Sequence, residues 1–284
     1  MRTRNGSRQE PSDRSYALRL NDRILLKLTE RVEAGPGDSS PLQKGLVMIV
    51  EDQALCGEGV GFGVPAIEYQ DRTLFSTHAA IRAGDEELVK SFSMDTFQRK
   101  TWRQRFPVDN RVYLSLEQRL ADRYRMDRRH RAFLTVVMKL ISLLGFKLSY
   151  QKTKSRGLVR IKYRLSGNDV KIAVDSSELI DRRYKRLLIF NEQSSGFDLY
   201  RDGIRTLKED EIGVWEETGS GRACLTNIHA GVTFCVRSVE GARLYRGREF
   251  LRPRLDWAGF CYSVPPRKEQ FVYAIEINWS EDLG

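Results

Sequence analysis

The sequence predicts a mainly β protein: a large antiparallel two-sheet sandwich with one long inserted helix. Three observations predict it. Apolar runs of strand length recur along the 284 residues and are bounded by turn clusters. Several of these runs alternate apolar with charged residues at a period of two. A single segment, 116–144, has the length and composition of a long helix.

Residues 1–15 read as a flexible basic tail, and 16–284 as one sandwich domain. From Tyr16 to Tyr113 the text is strand-like, in RILLKLTERV, GLVMIVED, AIEYQ, RTLFST, ELVKSFSMDTF and RVYLSL. Within it, CGEGVGFGVP sets Gly57, Gly59, Gly61 and Gly63 at every second position. It fits neither GxGxxG nor the P-loop, so it is no phosphate cradle. The bare backbone instead predicts close approach by a neighbouring strand or a ligand.

The helix expected over 116–144 is charged in its first half, where Asp127 and Arg131 stand at i,i+4. Its second half carries Phe133, Val137, Leu140, Ile141 and Leu144 on one broad face, and Gly145 ends it. The apolar run 132–146 falls short of the roughly 20 residues that a membrane span needs and contains Lys139. It is read as a buried helix, and no transmembrane segment is expected. The first residues lack the apolar stretch of a signal peptide.

Strands resume beyond the helix. In GLVRIKYRLS, Val159, Ile161, Tyr163 and Leu165 alternate with Arg160, Lys162 and Arg164, which separates an apolar face from a cationic one. SGND reads as the turn of a hairpin into VKIAVD. The later strands are LLIFNE, FDLYRD, IGVWEE, ACLTNI, GVTFCVRS, ARLYRGR, AGFCYSV and FVYAIEINW. Phe271, Tyr273, Ile275 and Ile277 form the core-facing set of the last one.

Cys56, Cys224, Cys235 and Cys261 form no CxxC pair and no Cys/His cluster, which argues against zinc and thioredoxin-like chemistry. They are expected as free thiols, with Cys235 and Cys261 buried. This points to a reducing, cytoplasmic setting and to no cofactor. His78, His130 and His229 complete no nucleophile motif.

The net charge of +10 is unevenly placed. Eleven Lys or Arg residues and no acid lie between Arg128 and Asn168, and eight acids follow between Phe190 and Glu217. Either neighbouring strands neutralise one another, or the stretch Arg119–Arg164 attracts an anionic partner such as nucleic acid, an acidic membrane surface or an acidic protein.

Two late segments carry candidate chemistry. Glu192, Asp198, Asp202, Glu216 and Glu217 gather near Trp215, and paired carboxylates beside aromatics suit acid–base work on sugars. The competing reading is hairpin turns and charge balance. Arg243, Arg246, Arg248, Arg252 and Arg254 surround Tyr245 and Trp257, and arginines clamp carboxylate or phosphate with paired hydrogen bonds.

The text from Leu244 to Leu251 (LYRGREFL) and from Gly259 to Ser263 (GFCYS) resembles the C-terminal part of the galactose mutarotase and aldose epimerase family, where "LYTGNFL" precedes "GFCLE". The resemblance covers about 20 residues. It implies a supersandwich fold, and it does not imply mutarotation. Ser263 occupies the place of the family's catalytic Glu, and Thr226–His229 is only faintly like one of its histidine motifs.

The expectation is therefore a sandwich that binds or processes a saccharide, a sugar acid or another anionic small molecule in a sheet cleft. Arg246, Arg248, Trp257, Trp215 and Tyr245 would bind it, and Glu192 and Glu249 would carry protons. The alternatives are a non-enzymatic module using the basic 119–164 stretch, and a structural or interaction protein. Convergence of these side chains on one concave face separates the first reading from the others.

Overall fold

The structure is a computed structural model. It describes residues 15–30, 42–56, 59–70, 72–84, 87–102, 106–107, 146–194, 196–213, 215–219, 221–251 and 255–279. The chain opens with β1 (Ser15–Arg19), β2 (Ile24–Thr29), β3 (Val47–Val50), β4 (Gln53–Ala54), β5 (Gly61–Glu68), β6 (Thr73–Phe75), β7 (Ala79–Ala83) and β8 (Glu87–Ser93). It continues with β9 (Thr96–Trp102), β10 (Phe106–Pro107), β11 (Phe146–Lys152), β12 (Leu158–Ser166), β13 (Asp169–Asp175), β14 (Arg186–Gln193), β15 (Leu199–Arg201) and β16 (Thr206–Lys208). It closes with β17 (Glu216–Glu217), β18 (Arg222–Asn227), β19 (Val232–Arg237), β20 (Arg243–Leu251), β21 (Leu255–Val264) and β22 (Gln270–Trp279).

These strands form three antiparallel sheets. The first is β1-β2-β3-β4. The second runs β10-β9-β6-β5-β14-β21-β20-β17, with β11 also paired to β9. The third runs β16-β15-β18-β19-β22-β13-β12-β8-β7. The mainly β, antiparallel layering is therefore present. Among the described residues the only helix is a 3-10 turn at Glu209–Ile212, and the helix expected over 116–144 lies outside them, as does the tail expected over 1–15 except for Ser15, which opens β1. No helix among the described residues is long and apolar enough to cross a membrane.

Period-two patterning decides the inside of each strand. Val159, Ile161 and Tyr163 of β12 are buried while Arg160, Lys162 and Arg164 are exposed, and a two-residue turn joins Ser166 to Asp169. Phe271, Tyr273, Ile275 and Ile277 of β22 are all buried. One hydrophobic cluster draws residues from all three sheets.

A polar hub ties the second sheet to the third. Asn191 Oδ1 accepts from the Tyr273 hydroxyl at 2.7 Å and from Gly63 N at 3.0 Å, and Asn191 Nδ2 donates to Ile189 O. Beside it the β5–β14 register shifts between Phe190 and Asn191. Gly63 has φ 76° there, and a Cβ on it would lie 2.9 Å from the Tyr163 ring. The glycine-rich segment thus serves close packing and a bulge.

The first sheet is held by Lys90, fully buried on β8, whose Nζ donates to the carbonyls of Thr29 and Lys44, each at 2.7 Å. Cys224 and Cys235 face each other across β18 and β19 and are joined as a disulfide. This corrects the expectation of free thiols at those two positions, because residues far apart in the text are direct partners across a hairpin. Cys56 and Cys261 remain free.

Candidate functional site

β14 carries the sequence RLLIFNEQ. Asn191 turns toward the third sheet, and alternation sends Phe190 and Glu192 to the opposite side. Glu192 pairs with Gly61 of β5 and Gly259 of β21, and Gly259 pairs with Gly247 of β20. A row across four strands therefore reads Gly61, Glu192, Gly259, Gly247. One carboxylate stands among positions that carry no side chain. Trp257 and Cys261 flank Gly259 on that side, and Tyr245 lies two residues before Gly247.

Trp215 enters from the loop after the 3-10 turn. Its φ is 53°, a left-handed value that bulky side chains avoid. The loop is pinned at both ends, since Arg248 N donates to Gly213 O at 2.9 Å and Glu216 pairs with Arg246. The Trp215 indole stacks on Trp257 with centroids 4.7 Å apart and planes 16° from parallel. Phe190 meets Trp215 edge-on at 5.4 Å. Trp257 lies across Gly247, where a Cβ would sit 2.8 Å from its ring. The result is an aromatic shelf next to the glycine row.

Glu192 is 8% exposed and accepts from Val60 N at 3.3 Å. Burial, and then the neighbouring Glu192 carboxylate, hold the Cys261 thiol well above its ordinary range. It is no nucleophile near neutral pH. Beside Glu192 a cavity of about 80 Å³ opens among Leu42, Gln43, Val60, Phe75 and Phe190.

The arginines lie elsewhere. Alternation along β20 puts Tyr245 and Gly247 on the Glu192 side and sends Arg246 and Arg248 to the other. Arg246 is 1% exposed. It donates to the Glu216 carboxylate at 2.8 Å and to Glu217 O at 3.2 Å, and it lies 4.9 Å above the Tyr200 ring. It anchors β17 inside the sandwich, so the expected clamp of arginines around a ligand of Glu192 is not assembled. Glu249 has its backbone opposite Trp257, and its side chain is not among those described. Two strands over and two residues along, its Cα is about 12 Å from that of Glu192 by ordinary sheet spacing. Glu216 and Glu217 pair with β20 at the sheet edge.

The structure therefore places Trp215 and Trp257 on the Glu192 side of the second sheet, with Tyr245 further along the same face, and it sends Arg246 and Arg248 to the other. Sequence reasoning missed Phe190, Gln43 and the glycine row. Gly61, Gly247 and Gly259 lie on three strands far apart in the text, and only the register aligns them. No group of metal-ligating side chains occurs among the described residues.

No family model matches the chain, and no curated protein sequence does. Among solved structures it is similar to the crystal structure of the Slr1438 protein from Synechocystis sp. PCC 6803, with 10% identity over 98% of this chain and 100% of that one. The TM-score is 0.39. A likeness at that level carries no argument.

Proposed function

We propose that this chain is a binding protein that takes a saccharide on the side of the second sheet turned away from the third. The single observation that carries the reading is the aromatic shelf of Trp215, Trp257 and Phe190 beside the row of Gly61, Glu192, Gly259 and Gly247. A pyranose has one apolar face, which an indole covers, and hydroxyls that a carboxylate accepts from. The half-buried Trp215, held at a positive φ, is the residue to which a ring would stack. Strained backbone persists where the surroundings enforce it, commonly at ligand clamps.

Glycoside hydrolysis uses two carboxyl groups about 5–9.5 Å apart, and the glycine row itself brings one, Glu192, so the reading is of binding. The mutarotase resemblance adds no chemistry, because Ser263 stands where a base is needed. The basic-stretch alternative draws less support. Lys162 pairs with Glu87 at 3.1 Å and Arg160 with Glu178 at 2.5 Å, while Arg119 to Gly145 lie outside the described residues.

A thermal-shift screen with neutral pyranosides, uronic acids and amino sugars tests the proposal. The expected result is stabilisation that rises with ligand concentration in at least one class and is lost in Trp215→Ala. No shift from any class at high concentration, or an equal shift in Trp215→Ala, would overturn it.

A further inference from the structure

Ala223 and Leu225 of β18 belong to the apolar core, as do Val232, Phe234 and Val236 of β19. Alternation therefore turns Cys224 and Cys235 to the outer side of the third sheet, and neither belongs to the core cluster. The residues around them on that side are charged. Arg201 stands opposite Cys224 on β15, and Glu276 stands opposite Cys235 on β22. Two residues along the strands, Arg222 and Arg237 are exposed, and they pair with Glu276 at 2.7 and 2.8 Å.

The disulfide repeats a connection that the backbone already makes. β18 and β19 are paired from Arg222 with Arg237 to Asn227 with Val232, and the cysteines are direct partners inside that ladder. β15 and β22 continue the sheet on either side. The bond joins residues 11 apart in sequence, so it removes less freedom from the unfolded chain than a long-range link would. Opening it breaks no backbone hydrogen bond and bares no core side chain. Cys224 is 8% exposed and Cys235 is fully buried, so an incoming thiolate meets the Cys224 sulfur first. Arg201, Arg222 and Arg237 set a positive field in its path.

We infer that Cys224–Cys235 is a reversible redox site, which exchanges with small thiols while the sheet stays folded. A thiolate attacks Cys224 Sγ, the S–S bond breaks, and Cys235 leaves as a thiolate that takes up a proton. A second thiol attacks the mixed disulfide and carries the first away as a small disulfide. Cys224 is released as a thiolate and is protonated in turn. Two small thiols are thereby oxidised, and their two electrons reduce the protein bond. Arg201, opposite Cys224, favours the thiolate that serves as nucleophile in the return reaction. The site lies on the third sheet and is independent of the saccharide reading.

Equilibration of the native full chain in glutathione buffers of graded reduced-to-oxidised ratio tests it. Free thiols are trapped by alkylation and mapped by mass, and far-UV circular dichroism is recorded at each ratio. Cys224 and Cys235 are expected to become labelled together within that range, and oxidised glutathione should restore the bond. The β-sheet spectrum should stay unchanged throughout, with buried Cys261 unlabelled. A bond that stays closed in reduced glutathione alone, as structural disulfides do, would overturn the inference. So would opening that comes only with loss of the sheet spectrum or labelling of Cys261. Labelling of Cys224 and Cys235 in fully oxidised buffer would overturn it as well. No variant has to fold for any of these readings.

Discussion

At the scale of single residues, two buried polar side chains set stability more than any surface charge does. Asn191 satisfies Gly63 N and the Tyr273 hydroxyl at once. Asn191→Leu keeps the volume and strands both donors, which should cost about 3 kcal/mol in urea denaturation. Lys90 is the second. Burial pushes its ammonium down to about 7, with Glu30 pulling the other way. Below that pH the folded and unfolded chains both hold the proton. Between about 7 and the ordinary lysine value near 10.4, the unfolded chain holds a proton that the folded chain lacks. Stability therefore rises with pH across this window. From pH 7 to 9 the native chain should gain about 2 kcal/mol relative to Lys90→Met, and a flat difference would refute the assignment.

At the scale of elements, alternation told inside from outside for β12 and β22, because one face of each is charged or exposed and the other apolar. It told less for β14, β20 and β21. In β21 every residue from Trp257 to Val264 is buried, so the text RLDWAGFCYSV shows no period. Only pairing with β14 and β20 assigns its two sides. The same gap explains the arginine cluster. Arg246 and Arg248 look like surface cations in the text, yet strand parity sends them to the side opposite Tyr245. The glycine segment was read correctly as a close approach, but its partner, the Tyr163 ring about 100 residues further on, was not readable. Gly63→Ala should cost about 2 kcal/mol or more, since it combines a positive φ with a clash against that ring. Recovery of native stability in Gly63→Ala would show that the bulge relaxes freely.

At the scale of the whole molecule, three sheets share one apolar core, and Lys90, Glu192 and Arg246 are the buried charged residues among those described. Lys162 with Glu87, Arg160 with Glu178, and Arg222 and Arg237 with Glu276 neutralise neighbouring strands of the third sheet. What remains distinctive is the far side of the second sheet, where tryptophans, a bare backbone row and one carboxylate meet. The most direct measurement of that claim is the intrinsic tryptophan fluorescence of the native chain during titration with the saccharide that stabilises it. The account predicts a saturable change in emission that disappears in Trp215→Ala while the affinity of Arg246→Lys stays native. A titration that leaves emission unchanged, or that is indifferent to Trp215 and abolished at Arg246, would contradict it.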